Sequence, residues 1–250
     1  MQTASALGRQ PIFPPLYRDT DAFVPPIILS RSSHPSLAHL SEVAGQDVEG
    51  LAKLRTVFLL LRRAIHSQES LAASAGTIRV IMLSAEKSIL DHLFAPDSSE
   101  SHQRSYDHQR VAMLFLAAHL FLYVGLREVP TSSQVAQALA TRLQIAVGNA
   151  QANPEVWRGR ERALLFAAFV GMLGAKRAVD PGCQWFKGVF SSVFSVIERE
   201  EAISLTRSSA QSLLESFLWR DKLCQDALED WWRNRQSADI PAAATGQDRI

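Results

Sequence analysis

Cysteine is almost absent: Cys183 and Cys224 are the only two among 250 residues. Two thiols cannot complete a four-thiolate zinc site or staple a disulfide scaffold. Both are therefore read as buried thiols in a reducing compartment. An excess of either charge is missing too, with 26 Lys and Arg against 25 Asp and Glu and a formal net charge of +1. Dedicated nucleic-acid-binding domains carry a strong basic excess, so direct contact of this chain with nucleic acid is not expected. Residues 1–10 lack the basic stretch and apolar run of a secretory signal. No uncharged run reaches the roughly 20 residues that a membrane-crossing helix needs. The longest, residues 111–126, has sixteen and includes His119. It and the shorter run 163–175 read as core helices.

Catalytic templates are missing as well. The closest glycine pairs, Gly171/Gly174 and Gly182/Gly188, lack the phosphate-loop motif and a following Lys-Ser/Thr. Gly171 and Gly174 fall inside an apolar run, where close helix packing is the simpler reading. There is no Gly-x-Ser-x-Gly elbow, no Glu-x-x-His repeat for a di-iron site, and no aspartate-rich magnesium segment, since Asp91 and Asp97 stand alone. The seven histidines do not pair at zinc-ligand spacings. His34, His39, His66, His92, His102 and His108 read as surface groups, and His119 as a core histidine with one satisfied nitrogen. Arg62-Arg63 read as a basic helix end. Arg158, Arg160 and Arg162, interleaved with Glu155 and Glu161, read as surface pairs. No catalytic, cofactor or metal site is expected, and the chain is not expected to be an enzyme.

What is present is proline at one end and helical periodicity everywhere else. Six of the eleven prolines precede residue 36, so residues 1–44 read as an irregular Pro-rich arm. Residues 237–250 read as a disordered tail. Between them, 45–236 should form one helical domain, all-α, with about seven to nine helices. Leu51, Leu54, Phe58, Leu61 and Ile65 make a stripe at helical spacing over 47–67. A second helix is expected over 69–94, an exposed polar loop over 95–105, and a central buried helix over 106–127. Ser132 or Ser133 should cap a helix ending near Gly148. Asn153-Pro154-Glu155 and Asp180-Pro181 read as helix starts. The last helices should cover 206–235. Over that stretch Leu214, Phe217, Asp221, Cys224, Leu228 and Trp231 fall on one seam. Asp221 is its polar member, expected to be buried against an Arg or a helix N-terminus.

The signature Phe217-Leu218-Trp219-Arg220-Asp221 resembles the end of the regulatory domain of fungal zinc binuclear-cluster transcription factors. Other pieces follow in that family's order. Residues 111–126 look like its preceding apolar helix, and 161–171 like its Leu-Leu-Trp-x-x-Phe-x-Gly-x-x-Ala helix. Trp185-Phe186 resembles the Trp-Phe opening the next helix. The resemblance covers roughly 47–235 and carries no catalytic residue. It implies a nuclear, transcription-regulating role through protein partners or a homodimer, with fungal secondary-metabolite gene clusters as a context. The family's six-cysteine DNA-reading module is missing from this chain, so the resemblance implies the regulatory half alone. Trp219, Trp231 and Trp232 are candidate partner anchors. Because Trp231 and Trp232 are adjacent, one helix cannot aim both at one face. The other readings of the same composition are a small-molecule-binding protein or enzyme with an apolar pocket around His119 and Cys183, and a membrane-associated protein.

Overall fold

The computed structural model describes residues 37, 40, 43–45, 47–70, 73–94, 102–175, 181–202 and 205–238. Most of the expected arm 1–44, residues 95–101 of the expected loop 95–105, the Asp180 cap and the tail beyond 238 lie outside the described residues. Leu40, Val43 and Ala44 of the arm are instead helical and buried in the core, and 102–105 already belong to a helix. Among those described, every regular element is helical. Eight helices have two turns or more, joined by one single-turn helix: α1 (Val48–Glu69), α2 (Ala75–Leu93), α3 (His102–Phe121), α4 (Gln134–Ala152), α5 (Pro154–Trp157), α6 (Glu161–Gly174), α7 (Pro181–Glu201), α8 (Arg207–Glu215) and α9 (Asp221–Ala238). The all-α expectation holds.

Short polar side chains fix four of the helix starts. Asp47 Oδ1 accepts from Gly50 N at 2.8 Å, Ser74 Oγ from Thr77 N at 3.2 Å, Ser133 Oγ from Ala136 N at 3.2 Å and Thr206 Oγ1 from Ser209 N at 3.2 Å. Each satisfies an amide that the first turn leaves orphaned. The second helix therefore starts at Ala75 rather than Glu69. Asn153 departs from expectation: its side chain donates back to the Asn149 carbonyl at 3.1 Å and makes no cap bond to α5. It closes α4, which runs straight through Gly148 to Ala152. A glycine inside a helix costs only about 1 kcal/mol, whereas Asn153-Pro154 removes the next amide donor and ends the helix. After one turn, Gly159 takes a left-handed φ of 77° and its amide donates to Glu161 Oε1 at 2.8 Å, so α6 begins afresh.

Helix α6 is the centre of the domain. Residues 163–174 are buried on every face, and α3, α4, α7, α8 and α9 surround it. Gly171 and Gly174 set how closely two of these neighbours approach: a Cβ on Gly171 would overlap the Phe186 ring, and one on Gly174 would overlap Leu120. Close packing is thus their role. Helix α3 continues over Leu122–Leu126 as a π-helical turn, with Arg127 N bonding to Leu122 O five residues back. The stretch Tyr106–Leu126 is long and apolar enough to cross a bilayer, yet 89% of its most apolar window is buried inside the fold. It is a core helix here.

Candidate functional site

The signature residues do not sit on one continuous helix. Residues 216–220 form the turn between α8 and α9, and every signature side chain has a place in it. Phe217 and Leu218 are buried. The Phe217 ring lies flat on Phe166 of α6 (centroids 4.9 Å apart, planes at 11°) and edge-on to Phe58 of α1 at 6.4 Å. Trp219 stacks on Phe169 of α6 at 6.1 Å and 12°, and its indole N–H donates to Asp221 Oδ1 at 2.6 Å. Asp221 itself is exposed in the first turn of α9. This corrects the expected buried carboxylate: the seam spacing assumed a helix running through 216–220, and the break there turns Asp221 outward. The carboxylate still lies where the helix dipole favours negative charge. Leu214, Phe217, Cys224, Leu228 and Trp231 remain buried as expected.

Two arginines clamp this turn to distant parts of the chain. Arg62, in α1, points its guanidinium at the end of α8, with Nε 2.9 Å from Phe217 O and Nη2 3.3 Å from Glu215 O. The expected Arg62 role at the end of its own helix is therefore replaced by one at another helix's C-terminus, where orphaned carbonyls attract cations equally. Arg220 hydrogen-bonds through Nη1 to Gly125 O in the π-turn and pairs through Nη2 with Glu128 Oε1 at 2.8 Å. Gln68 Nε2 donates to the neighbouring Leu126 O at 3.1 Å. Glu128 holds a left-handed φ of 51°, a costly conformation for a non-glycine residue, and its ion pair with Arg220 fixes it.

The other two candidate anchors, Trp231 and Trp232, pack on α7. Trp231 is buried, edge-on to Phe190 at 4.6 Å and Phe194 at 5.2 Å, with its indole N–H 2.9 Å from Ser191 Oγ. Trp232 is half-buried beside Phe194 at 6.2 Å. Arg235 spans the rings of Phe194, Trp231 and Trp232 and pairs with Glu198 at 2.6 Å. Arg162 reaches Glu201 of α7 at 2.8 Å, so it links helices rather than pairing along the surface of its own. Arg158 and Glu155 form the exposed pair expected of them.

A buried polar network went unnoticed in the sequence. Glu86 of α2 accepts from Tyr123 Oη at 2.6 Å and from both Arg127 amino groups at 3.2 and 2.6 Å. His119 Nε2 approaches to 3.8 Å. Burial alone would raise the Glu86 pKa, but His119, Arg127 and Tyr123 together hold it at about 2. Burial lowers the His119 pKa against the pull of Glu86, and raises that of Tyr123. The π-turn is what brings Tyr123 and Arg127 to one carboxylate. No single-residue motif announces such a convergence, because Glu86 looks like a surface charge on α2.

His92 is another departure from the surface assignment. It is buried, stacked on Phe115 at 4.2 Å and tilted at 40° against His108 at 4.9 Å, and its Nε2 has no hydrogen-bond partner. Burial, then the neighbouring His108, push its pKa down to about 4. His108 is half-exposed with Nδ1 3.8 Å from Asp47, and His66 is exposed, while the side chains of His34, His39 and His102 lie outside those described. Among the described residues no group of three or more His, Cys, Asp or Glu is arranged to hold a metal ion. Both cysteines are buried thiols outside any disulfide, and burial pushes the Cys224 thiol up to about 12.

His119 and Cys183 do not line the cavities described. A cleft of about 160 Å³ lies instead between α3 and α4, closed at one end by Trp157, and a more open one of about 300 Å³ lies over Arg220, Lys222 and Glu128. No protein-family model, no curated protein and no solved structure matches this chain.

Proposed function

We propose that this chain is a transcription-factor-like regulatory protein that carries no DNA-reading module of its own and acts in the nucleus through protein partners. One observation carries the proposal. The separate segments that bear the resemblance to fungal zinc-cluster regulators meet in space: Phe166 on Phe217, Phe169 on Trp219, and Gly171 against Phe186. A diffuse pattern of apolar positions gains weight when its members are mutual neighbours, since packing is what would preserve them together. The balanced charge of +1 fits a partner-mediated role better than direct phosphate binding. Regulation of a fungal secondary-metabolite cluster is the biological context proposed.

Joining the full chain to a heterologous DNA-binding module and reading a reporter tests this. Reporter output should change in either direction relative to the module alone, while the free chain shifts no DNA at physiological salt. An unchanged reporter with the fusion present in the nucleus would overturn the proposal.

A further inference from the structure

We infer that the cleft between α3 and α4 is a binding site for an uncharged, single-ring aromatic molecule bearing a hydrogen-bond donor and acceptor on one edge. The cleft exists because small residues face each other. Ala146, Asn149 and Ala150 of α4 and Asn153 just past its end recur at spacings of three and four, and Ala112 and Met113 of α3 stand opposite them. Alanines cannot fill the space that the helices' other contacts leave between them. Asn153-Pro154 then turns the chain so that Trp157, itself buried, closes one end, while Tyr106 stands 38% exposed at the side.

Shape, wall and charge each narrow the ligand. A volume of about 160 Å³ suits one six-membered ring, since an apolar cavity of about 150 Å³ accepts benzene. An indole and a phenol at the margin, with a floor of methyl and thioether groups, favour a flat aromatic over a branched aliphatic. The cation in the wall, Arg110, is buried and already bound to the buried Asp107 carboxylate. An incoming ammonium would lose hydration and meet Arg110, with Arg160 nearby, rather than a free carboxylate, and an incoming carboxylate would lose hydration against an arginine already paired with Asp107. The exposed Asn149 carboxamide at the mouth offers one donor and one acceptor to a matching edge.

The test uses the full ¹⁵N-labelled chain and benzamide as probe, with benzoate and benzylamine as charged counterparts. Benzamide should give saturable shifts at the Trp157 indole and the Ala112, Ala146 and Ala150 amides at millimolar concentrations. The charged probes should bind about fivefold more weakly or worse. Ala146→Leu fills the cleft and should abolish saturation. Asn149→Ala changes an exposed position, leaves the fold intact and should weaken benzamide about fivefold, which decides the matter should Ala146→Leu not fold. Shifts that stay linear, saturate equally in both variants, or favour benzoate over benzamide would overturn the assignment.

Discussion

His92 closes the last turn of α2 between Phe115 and His108, faced by Asp47, Glu49 and Lys53 from α1. Its folded pKa of about 4 lies below the ordinary 6.5, so the unfolded chain takes up this proton first as pH falls. The corresponding stability is whole above pH 6.5 and is lost between 6.5 and 4. At about 1.4 kcal/mol per unit, the loss is on the order of 3 kcal/mol. Glu86 acts in a lower window: with a folded pKa of about 2 against 4.5, its contribution is whole above pH 4.5 and fades as pH falls toward 2. Thermal melts should therefore show a decline below pH 6.5, followed by a second one below 4.5. His92→Phe keeps the ring on Phe115 and should shrink the first decline, leaving the share that the buried His119 contributes, while sparing the second; an unaltered profile would contradict the assignment. Glu86→Gln leaves Arg127 without its carboxylate in a poorly solvated site. Urea unfolding should then register a loss of about 3–5 kcal/mol.

Elements were legible in the sequence wherever periodicity or a capping residue marked them. The stripe of α1 and the apolar α6 were visible, as was a cap at Ser132 or Ser133, which falls on Ser133. Junctions were harder, because spacing describes one helix at a time. Asp221 was placed on a buried seam by counting through 216–220, where the chain turns. A helix does start at Pro154, but the Asn153 side chain bonds back to the helix before it, because an Asn ahead of a proline can serve either neighbour. Arg62 and Arg220 each cap a helix far away in sequence, and no local pattern encodes that reach. Gly171 was read for packing, and its expectation can be made quantitative. Gly171→Ala drives a methyl into the Phe186 ring and should cost about 1–3 kcal/mol by overpacking. Pairing it with Phe186→Leu should recover part of that loss in a double-mutant cycle.

Across the whole molecule, α6 and α7 are joined to the C-terminal segment by aromatic stacking, with α1 and the π-turn clamping the same junction through Arg62 and Arg220. The tryptophans singled out as partner anchors mostly serve this core. Trp231→Ala should cost about 3–5 kcal/mol, as expected for a truncated buried aromatic. Trp232→Ala, at a half-buried position beneath Arg235, should cost less than half as much. An equal loss from both would mean that Trp232 is buried in an assembly. Partner contact is then expected from surfaces other than the Trp219 and Trp231 faces.

The central claim is that residues 217–220 hold the domain together as one cooperative unit rather than forming an appended interaction tail. Native-state hydrogen exchange on the full chain measures this directly. Amides of Leu223, Cys224 and Leu228 should exchange with the same opening free energy as those of Phe166 and Phe169, because the stacked rings separate only on global unfolding. Exchange of the α9 amides at a much lower free energy, with α1, α3 and α6 still protected, would contradict it.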